Sequence, residues 1–255
     1  MRRSLLGFIA ILLVILAGSL FMPAVKAASA GTSQSSIYQI QKNNHPKNLR
    51  ADGSILDEMK QRFLRDVTGN TLATIVLLGM VVSLVLVTYN FVMGDPKQAK
   101  PWPRWVIPIL AMLGMGVAIY MSFVETTKIA AFCGPIGDCN SVQKSQYAVI
   151  FGVLPVGVLG LIGYLAILAA WITQLFSSER WRNLLSVAIW GMAVFGVLFS
   201  IYLTFLEPFV IGATCIWCIS SAIIITLLLW ASTPPAKLAT SSTDELQDEY
   251  PLQNA

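Results

Sequence analysis

The chain has 255 residues, of which 56% are hydrophobic and only 12% are charged, and its mean hydropathy is +0.69. In soluble globular proteins about a quarter of all residues are charged, so this composition excludes both an ordinary soluble domain and a disordered chain. The net charge of +4 is too small and too dispersed to indicate binding to nucleic acid. The composition therefore indicates an integral membrane protein.

Six apolar runs are candidates for crossing a membrane. The first, residues 4–22, follows two arginines and precedes small residues typical of a cleavage site, so residues 1–30 are predicted to be a signal peptide or an uncleaved signal anchor. The other runs are residues 72–93, 105–124, 153–176, 184–206 and 213–230. None of these five has a charged residue in its interior, so a proton relay or an ion pathway within the bilayer is not expected.

Basic residues in the short loops predict the orientation, because they stay on the cytoplasmic side. The loops 94–104 and 177–183 are both basic and are assigned to the cytoplasm. Alternation of the spans then puts residues 31–71, 125–152 and 207–214 outside and the tail inside. The segment 31–71 is an exception to the charge rule, since it is also rich in Lys and Arg.

Outside the apolar runs, the chain divides into recognisable segments. Residues 31–71 are predicted to be an exoplasmic segment whose apolar residues recur at helical spacing over 55–67, as in an amphipathic helix that lies on the membrane or packs over the bundle. His45 in this segment is interpreted as a loop residue. Residues 72–93 are predicted to form an extra transmembrane helix, and the polar, acidic tail 232–255 is predicted to be disordered.

All four cysteines fall on one predicted face of the membrane. Cys133 and Cys139 lie in an outer loop, and Cys215 and Cys218 form a C-x-x-C motif where the last span begins. Thiols in the first turn of a helix meet unpaired amides and the positive end of the helix dipole, which favours the reactive thiolate. Gly and Pro between the loop cysteines predict a turn that can move between partners. Two such pairs indicate a thiol–disulfide relay, with one pair towards water and the other towards lipid.

Three other uses of these cysteines compete with a relay. A zinc site is disfavoured because the C-x5-C spacing is too long for a zinc knuckle, and no metal is expected. Haem attachment would require a histidine after Cys218, where the chain has Ile219. Static disulfides in an oxidising compartment, in a non-enzymatic membrane scaffold, stay open as the alternative.

The order and surroundings of the two pairs resemble the vitamin K epoxide reductase family, in its bacterial disulfide-forming type. The residues that carry the resemblance are Cys133-Gly-Pro-Ile-Gly-Asp-Cys139, Ser145-Gln-Tyr147, Phe151-Gly-Val-Leu-Pro-Val-Gly157 at the start of a span, and Cys215-Ile-Trp-Cys218. The resemblance implies an all-α integral membrane fold. A four-transmembrane-helix bundle over residues 105–231 would enclose a quinone, and the helix at 72–93 would be additional. Five glycines of the bundle are predicted to be helix-packing positions: Gly157, Gly160, Gly163, Gly191 and Gly196.

The resemblance also implies a role for each cysteine. Cys133 would exchange with an exported thioredoxin-like (DsbA-like) protein, Cys139 and Cys215 would form a transient bridge, and Cys218 would pass electrons to the quinone. Because no cysteine follows Cys218, that partner is expected to be a separate protein.

Three further residues are expected at the quinone pocket by the same resemblance. Ser145 and Phe151 match family positions beside the quinone, and Ala222 stands where the vertebrate reductase has a tyrosine. Ala148 likewise replaces an expected asparagine. These changes favour a plain quinone of the ubiquinone or menaquinone type over vitamin K epoxide.

The sequence thus predicts a quinone-dependent thiol oxidoreductase of the bacterial inner (plasma) membrane, with its cysteines on the exoplasmic side, that supports disulfide bond formation. The same relay running in the reductive direction stays open, because direction depends on redox potentials.

Overall fold

A computed structural model describes residues 51–94, 102–133, 137–150 and 154–248. The helices are α1 Ala51–Phe63, α2 Val67–Met93, α3 Val106–Thr127, α4 Cys139–Gln143, α5 Val156–Phe176, α6 Glu179–Leu206 and α7 Ile216–Asp248. Two short strands, β1 Val149–Ile150 and β2 Leu154–Pro155, pair antiparallel before α5. The predicted all-α architecture is confirmed. The predicted signal segment and His45 lie outside the described residues.

Five helical segments in the described part of the chain are long and apolar enough to cross a membrane. They are Asp57–Met93, Val106–Thr127, Val156–Phe176, Glu179–Ile211 and Ile216–Ser241. Uncharged runs of this length become helices in lipid because a helix pairs its backbone N–H and C=O groups within itself. The five internal spans predicted from the sequence are therefore present, most of them with longer ends.

Four of these helices form a closed bundle, and the fifth packs on its outside. α3 contacts α5 and α7, and α6 contacts the same two helices, which completes the ring. α2 packs against α6 and α7, where Phe91 stacks on Trp190 with ring centroids 4.2 Å apart. The expected arrangement of four helices with one additional N-terminal helix is thus observed.

The five glycines predicted as packing positions divide into two groups. A Cβ on Gly196 would lie 2.8 Å from the Ile225 side chain, one on Gly157 would lie 2.7 Å from the Glu125 carboxylate, and one on Gly160 would lie 3.8 Å from the Ala118 side chain, so these three lie at helix contacts. Gly163 and Gly191 have no neighbouring atom within 4 Å of such a Cβ. The packing prediction is wrong for these last two, which line a cavity between the helices.

The amphipathic N-terminal helix packs on the bundle at the end where the cysteines lie. Phe63 of α1 faces Phe209 with ring centroids 6.3 Å apart, and the Arg62 guanidinium donates to the Val210 carbonyl at 2.6 Å. One 3₁₀ turn, Leu64–Asp66, joins α1 to α2, and Asp66 caps α2 by accepting from the Gly69 N–H at 3.0 Å. Of the two interpretations left open for this helix, these contacts support packing.

The prediction of a disordered tail is wrong for residues 232–248, which continue α7 through Pro234 and Pro235. Ala236 is completely buried, and the ammonium of Lys237, itself only 8% exposed, donates to the Asn90 carbonyl near the end of α2. A cation at the negative end of a helix dipole is stabilising. The composition of the tail suggested disorder because it does not reveal that α2 covers this stretch.

Candidate active site

The four cysteines form one cluster at the end of the bundle where α3 ends and α7 begins. Cys139 and Cys215 are completely buried, whereas Cys133 and Cys218 are partly exposed, and all four are free thiols. The Cys139 N–H donates to the Cys133 sulfur at 3.2 Å. Side-chain hydrogen bonds join Cys133 to Cys139, Cys139 to Cys215, and Cys215 to Cys218. The structure therefore brings the two distant pairs together as a continuous series of four sulfurs.

The short helix α4 places Cys139 at the centre of this series. Asp138 caps α4 by accepting from the Ser141 N–H at 3.1 Å, and the hydrogen bonds from Ser141 lower the pKa of Asp138. The Asp138 N–H donates to the Thr214 carbonyl at 3.0 Å, which ties the loop to the residue before Cys215. Gly137 has φ +89°, and a Cβ there would lie 2.4 Å from the Thr214 carbonyl oxygen, so this close approach requires glycine.

The segment before Cys133 is held by aromatic side chains. The Trp217 indole N–H donates to the Phe132 carbonyl at 3.0 Å, and the Phe132 N–H donates to the Tyr120 hydroxyl at 2.8 Å. Tyr120 and Trp217 are themselves in contact, with ring centroids 4.4 Å apart. Cys133 is thus anchored on its N-terminal side, while residues 134–136 of the predicted mobile turn lie outside the described residues.

A buried carboxylate lies beside the inner pair. Glu207 is 2% exposed, and its Oε2 accepts from the Cys215 N–H at 3.2 Å. The Cys218 thiol donates a second hydrogen bond to the same carboxylate. Glu207 begins a π-helical turn, Glu207–Ile211, that ends at Gly212 with φ +75°. The Gly212 N–H donates to the Glu207 carbonyl at 2.8 Å, which closes the turn and fixes the carboxylate under the start of α7.

The additional helix α2 also reaches this site. The Asn70 side-chain oxygen accepts from the Thr214 hydroxyl at 2.9 Å, and its amide donates to the Phe63 carbonyl at 2.9 Å. Asn70 is completely buried, and Thr214 is 2% exposed. No role for this helix could be predicted from the sequence, and the structure shows that it contacts the residue directly before Cys215.

Protonated thiols are favoured in the part of the site outside the spans. Burial raises the pKa of Cys133 to about 11, and the hydrogen bond with Cys215 raises that of Cys139. At Cys215 the hydrogen bond with Cys139 lowers the pKa. The contact with Cys218, burial and the charge of Glu207 raise it by more, so the net shift is upward.

This corrects the expectation that the helix start favours a thiolate in the C-x-x-C motif, which is wrong for Cys215. Two amides at this helix start are already paired with other groups. The Cys215 N–H donates to Glu207, and the Ile216 N–H donates to the Cys139 sulfur.

A cavity of about 500 Å³ lies between α3, α5, α6 and α7, with Cys218 on its wall. Gly163 and Gly191 leave space within it, and most of its lining is apolar. Glu125 also lines the cavity, where its Oε2 accepts from the Gly157 N–H at 2.8 Å. Sites for small organic ligands have volumes of roughly 300–1,000 Å³ and are mostly apolar with a few polar groups. The size, the apolar wall and the sulfur fit a planar, lipid-soluble ligand such as a quinone.

The predicted quinone-pocket residues lie elsewhere or are not described. The Ser145 hydroxyl donates to the Val142 carbonyl at 2.6 Å, and Ser145 is not among the residues that line the cavity. Ala222 is 1% exposed and packs in the bundle core. Phe151 lies outside the described residues. Their contact with a quinone stays a prediction.

Two carboxylates near the sulfurs, Glu125 and Glu207, were missed by reading the sequence. Each directly follows a predicted apolar run, and the helix continues past it in the structure. The available signal was a single acid among apolar residues shortly before a cysteine. Within the described ranges, no group of three or more His, Cys, Asp and Glu side chains is arranged to hold a metal ion.

Comparisons with known proteins agree with this arrangement. Residues 105–233, about half of the chain, match the Vitamin K epoxide reductase family. The chain is also similar to the thiol-disulfide oxidoreductase LTO1 of Arabidopsis thaliana, with 30% identity over 145 residues, which is 52% of this chain and 35% of that protein. The chain thus spans about a third of the length of this relative. Because the family match covers half of the chain and all four cysteines, the chain belongs to the vitamin K epoxide reductase family.

Proposed function

We propose that the protein is a membrane thiol–disulfide oxidoreductase that passes electrons from an exported thioredoxin-like protein, through its two cysteine pairs, to a quinone of the ubiquinone or menaquinone type. The observation that carries the proposal is the series of four sulfurs, which begins at the partly exposed Cys133 and ends at Cys218 on the cavity wall. Membership of the family and the name of the Arabidopsis relative support thiol oxidoreductase chemistry.

Each transfer along the series moves two electrons by thiol–disulfide exchange. A thiolate of the partner attacks Cys133 and breaks the Cys133–Cys139 disulfide. The second thiolate of the partner then releases Cys133, so the partner leaves as a disulfide and the loop pair is left as two thiols.

The loop pair then reduces the inner pair. Cys139 loses its proton to water and attacks Cys215, which breaks the Cys215–Cys218 disulfide. Cys133 next attacks Cys139 and releases Cys215, so the loop pair is a disulfide again and the inner pair is a dithiol. A quinone held in the cavity would supply the oxidising chemistry, since it takes up two electrons and two protons. Cys218 is the sulfur placed to deliver the electrons, because it lies on the wall.

We place the cysteines on the exoplasmic side of a bacterial inner membrane. All four lie at one end of the bundle, and Arg180 and Arg182 lie at the opposite end of α6, where basic residues mark the cytoplasmic side. An exoplasmic position gives Cys133 access to exported proteins and favours disulfide formation as the direction of the relay.

Reconstitution in vesicles tests this function. The reaction contains a reduced DsbA-type protein as the thiol donor and a short-chain ubiquinone or menaquinone as the acceptor, and quinol formation is followed by absorbance. We expect turnover by the wild type and only the uncatalysed rate with Cys218→Ala. Ser220→Ala, which removes a similar atom two residues further along α7, is the matched control and should be active. Absence of quinol formation by the wild type, or full activity of Cys218→Ala, would overturn the proposal.

The competing function is a membrane scaffold with static disulfides. Alkylation of cysteines in intact cells, followed by mass spectrometry, separates the two. A relay in turnover gives a mixture of reduced and oxidised pairs, whereas a scaffold gives permanently oxidised, exchange-inert pairs. The same experiment with and without an oxidised acceptor shows the direction of flow.

A further inference from the structure

The buried carboxylate of Glu207 touches both cysteines of the inner pair. Its Oε2 accepts from the Cys215 N–H at 3.2 Å, and the Cys218 thiol donates to the same side chain. Cys218 is also the sulfur on the cavity wall. The hydrogen-bonded series of four thiols therefore ends on a group that can receive a proton.

Glu207 forms no ion pair with any residue in the described ranges, where the ion pairs are Arg62–Glu58 and Arg182–Glu179. A carboxylate buried without a cation is costly for a fold. The titratable and charged groups near it are Cys215 directly before α7, Cys218 on α7 and Arg62 on α1, and Glu125 on α3 acts on Cys218. The Arg62 guanidinium is bonded to the Val210 carbonyl and to Glu58 rather than to Glu207. The contacts of Glu207 are therefore with the inner pair of cysteines and not with a cation.

The backbone around Glu207 holds the carboxylate in place. The π-helical turn closes through the Gly212 N–H, and the following segment is fixed where the Thr214 hydroxyl donates to Asn70. The Cys215 amide is bonded to Glu207, so this amide is not free to stabilise a thiolate. Cys218 is in hydrogen-bonding contact with the Cys215 thiol and with the Glu207 carboxylate, and of these two the carboxylate is the group that can accept a proton.

We infer that Glu207 is a catalytic residue that exchanges a proton with the Cys218 sulfur. This role rests on the proposed function. When Cys139 attacks Cys215, the Cys215–Cys218 bond breaks. The leaving Cys218 sulfur keeps the electron pair of that bond and takes a proton from the carboxylic acid of Glu207. When the inner pair later passes two electrons to the quinone and the Cys215–Cys218 bond forms again, the Glu207 carboxylate takes that proton back. The proton of Cys215 leaves separately, so protons and electrons balance over the cycle.

The test measures the reactivity of Cys218 without a quinone and without a partner protein. The protein is fully reduced, treated with N-ethylmaleimide at several pH values between about 6 and 9, and the modification of each cysteine is followed by peptide mass spectrometry. The thiolate is the species that reacts. With Glu207 as proton acceptor, the rate at Cys218 rises by clearly less than about tenfold per pH unit in the wild type.

The Glu207→Gln variant keeps an oxygen for the Cys215 N–H and cannot take up a proton. We expect its rate at Cys218 to rise about tenfold per pH unit and to exceed that of the wild type by a factor that grows with pH, because a neutral amide neither shares the proton nor opposes a negative charge on the sulfur. Modification of Cys133 in the same samples should be unchanged. Glu179→Gln, the same substitution at the opposite end of α6, is the matched control. An unaltered rate and pH profile at Cys218 in Glu207→Gln would overturn the inference.

Glu207→Asp keeps the inference testable if the glutamine variant does not assemble. Aspartate retains the carboxylate but withdraws it from the sulfur by one methylene. We expect its rate at Cys218 to rise by less than about tenfold per pH unit but more steeply than in the wild type, because the proton is shared less closely. A rise of the full tenfold per pH unit, or a profile identical to that of the wild type, would overturn the inference.

The two proposals fail separately. If the wild type forms quinol while Glu207→Gln shows no change at Cys218, only the role of Glu207 fails. If no quinol forms while Glu207→Gln shows the expected steeper profile, the proposed function fails instead.

Discussion

The two cysteine pairs occupy opposite kinds of environment, although they are only one hydrogen bond apart. The outer pair lies on a loop that polar contacts from Trp217 and Asp138 hold against the bundle, and Cys133 is partly exposed. The inner pair lies at the start of a membrane helix, between a buried carboxylate and an apolar cavity. The difference indicates a division of the chemistry: the outer pair is accessible to another protein, and the inner pair reaches the apolar cavity through Cys218.

The largest effect is expected from the variant that breaks the link between the two cysteine pairs. In Cys139→Ala the loop pair can neither form its disulfide nor pass electrons to Cys215, so turnover should fall more than about 1,000-fold. With an oxidised partner, the Cys133 thiolate attacks the partner disulfide and one partner sulfur leaves as a thiol. Because Cys139 is absent and cannot displace the partner, this mixed disulfide should accumulate and be visible on non-reducing gels. The Cys133→Ala, Cys139→Ala double variant is the control and should trap nothing. Turnover by Cys139→Ala would show that electrons reach the inner pair by another route.

The second prediction concerns the protonation of the outer pair. Burial raises the pKa of Cys133 from its ordinary value of 9.0 to about 11, so the fully reduced protein carries mostly neutral thiol below that pH. At pH 8 its thiolate fraction is about 100-fold lower than that of a free cysteine, and the alkylation rate should be lower by the same factor. The rate should rise about tenfold per pH unit until about pH 11. A plateau near pH 9 would contradict the shift.

The same shift has a consequence for stability. Because the folded state holds this proton more tightly than the unfolded state, the stabilisation is fully present below about pH 9. It is lost as the pH rises through 11. The denaturation midpoint of the reduced protein should therefore decrease as the pH is raised from about 9 to about 11.

The third prediction tests whether α2 supports the inner pair. Asn70→Ala removes the acceptor of the buried Thr214 hydroxyl and the donor to the Phe63 carbonyl. The free energy of unfolding should fall by about 1–3 kcal/mol, as measured by denaturation in detergent. Thr71→Val is the matched control, because the Thr71 hydroxyl is bonded only within its own helix, and it should change stability by less than about 0.5 kcal/mol. Equal effects of the two variants would contradict the support from α2.

The smallest expected effect concerns the anchoring of the outer pair. Trp217→Phe keeps a ring against Tyr120 but removes the hydrogen bond to the Phe132 carbonyl, which is worth about 0.5–1.5 kcal/mol. Alkylation of Cys133 should become a few times faster, because its segment opens more often, while Cys215 stays protected. Trp181→Phe, at the opposite end of the bundle, should have no effect. An equal gain at Cys215 would mean that the two pairs open together.

The surroundings of Glu125, Glu207 and the C-terminal tail were not predicted from the sequence, for one physical reason. Apolar runs were ended at the first charged residue, which left Glu125 and Glu207 outside the spans. A helix continues past a charged residue when the side chain is hydrogen-bonded, as Glu125 is to the Gly157 N–H and Glu207 is to the Cys215 N–H. The tail was predicted wrongly for the same reason, since the Lys237 ammonium donates to the Asn90 carbonyl near the end of α2.

The sequence by itself determined the membrane location, the five internal spans and the presence of two cysteine pairs at one end, because hydrophobic length and residue spacing are local properties. Motif resemblance added the family and the expected order of the sulfurs. Only the tertiary structure decided that α2 supports the residue before Cys215, that the Cys215 amide is already paired, and that Glu207 is in contact with Cys218. Asn70 and Thr214 are 144 residues apart in the chain, and Glu207 reaches the two cysteines through the π-helical turn. The partner of a buried polar group is chosen by packing rather than by the spacing of residues in the sequence.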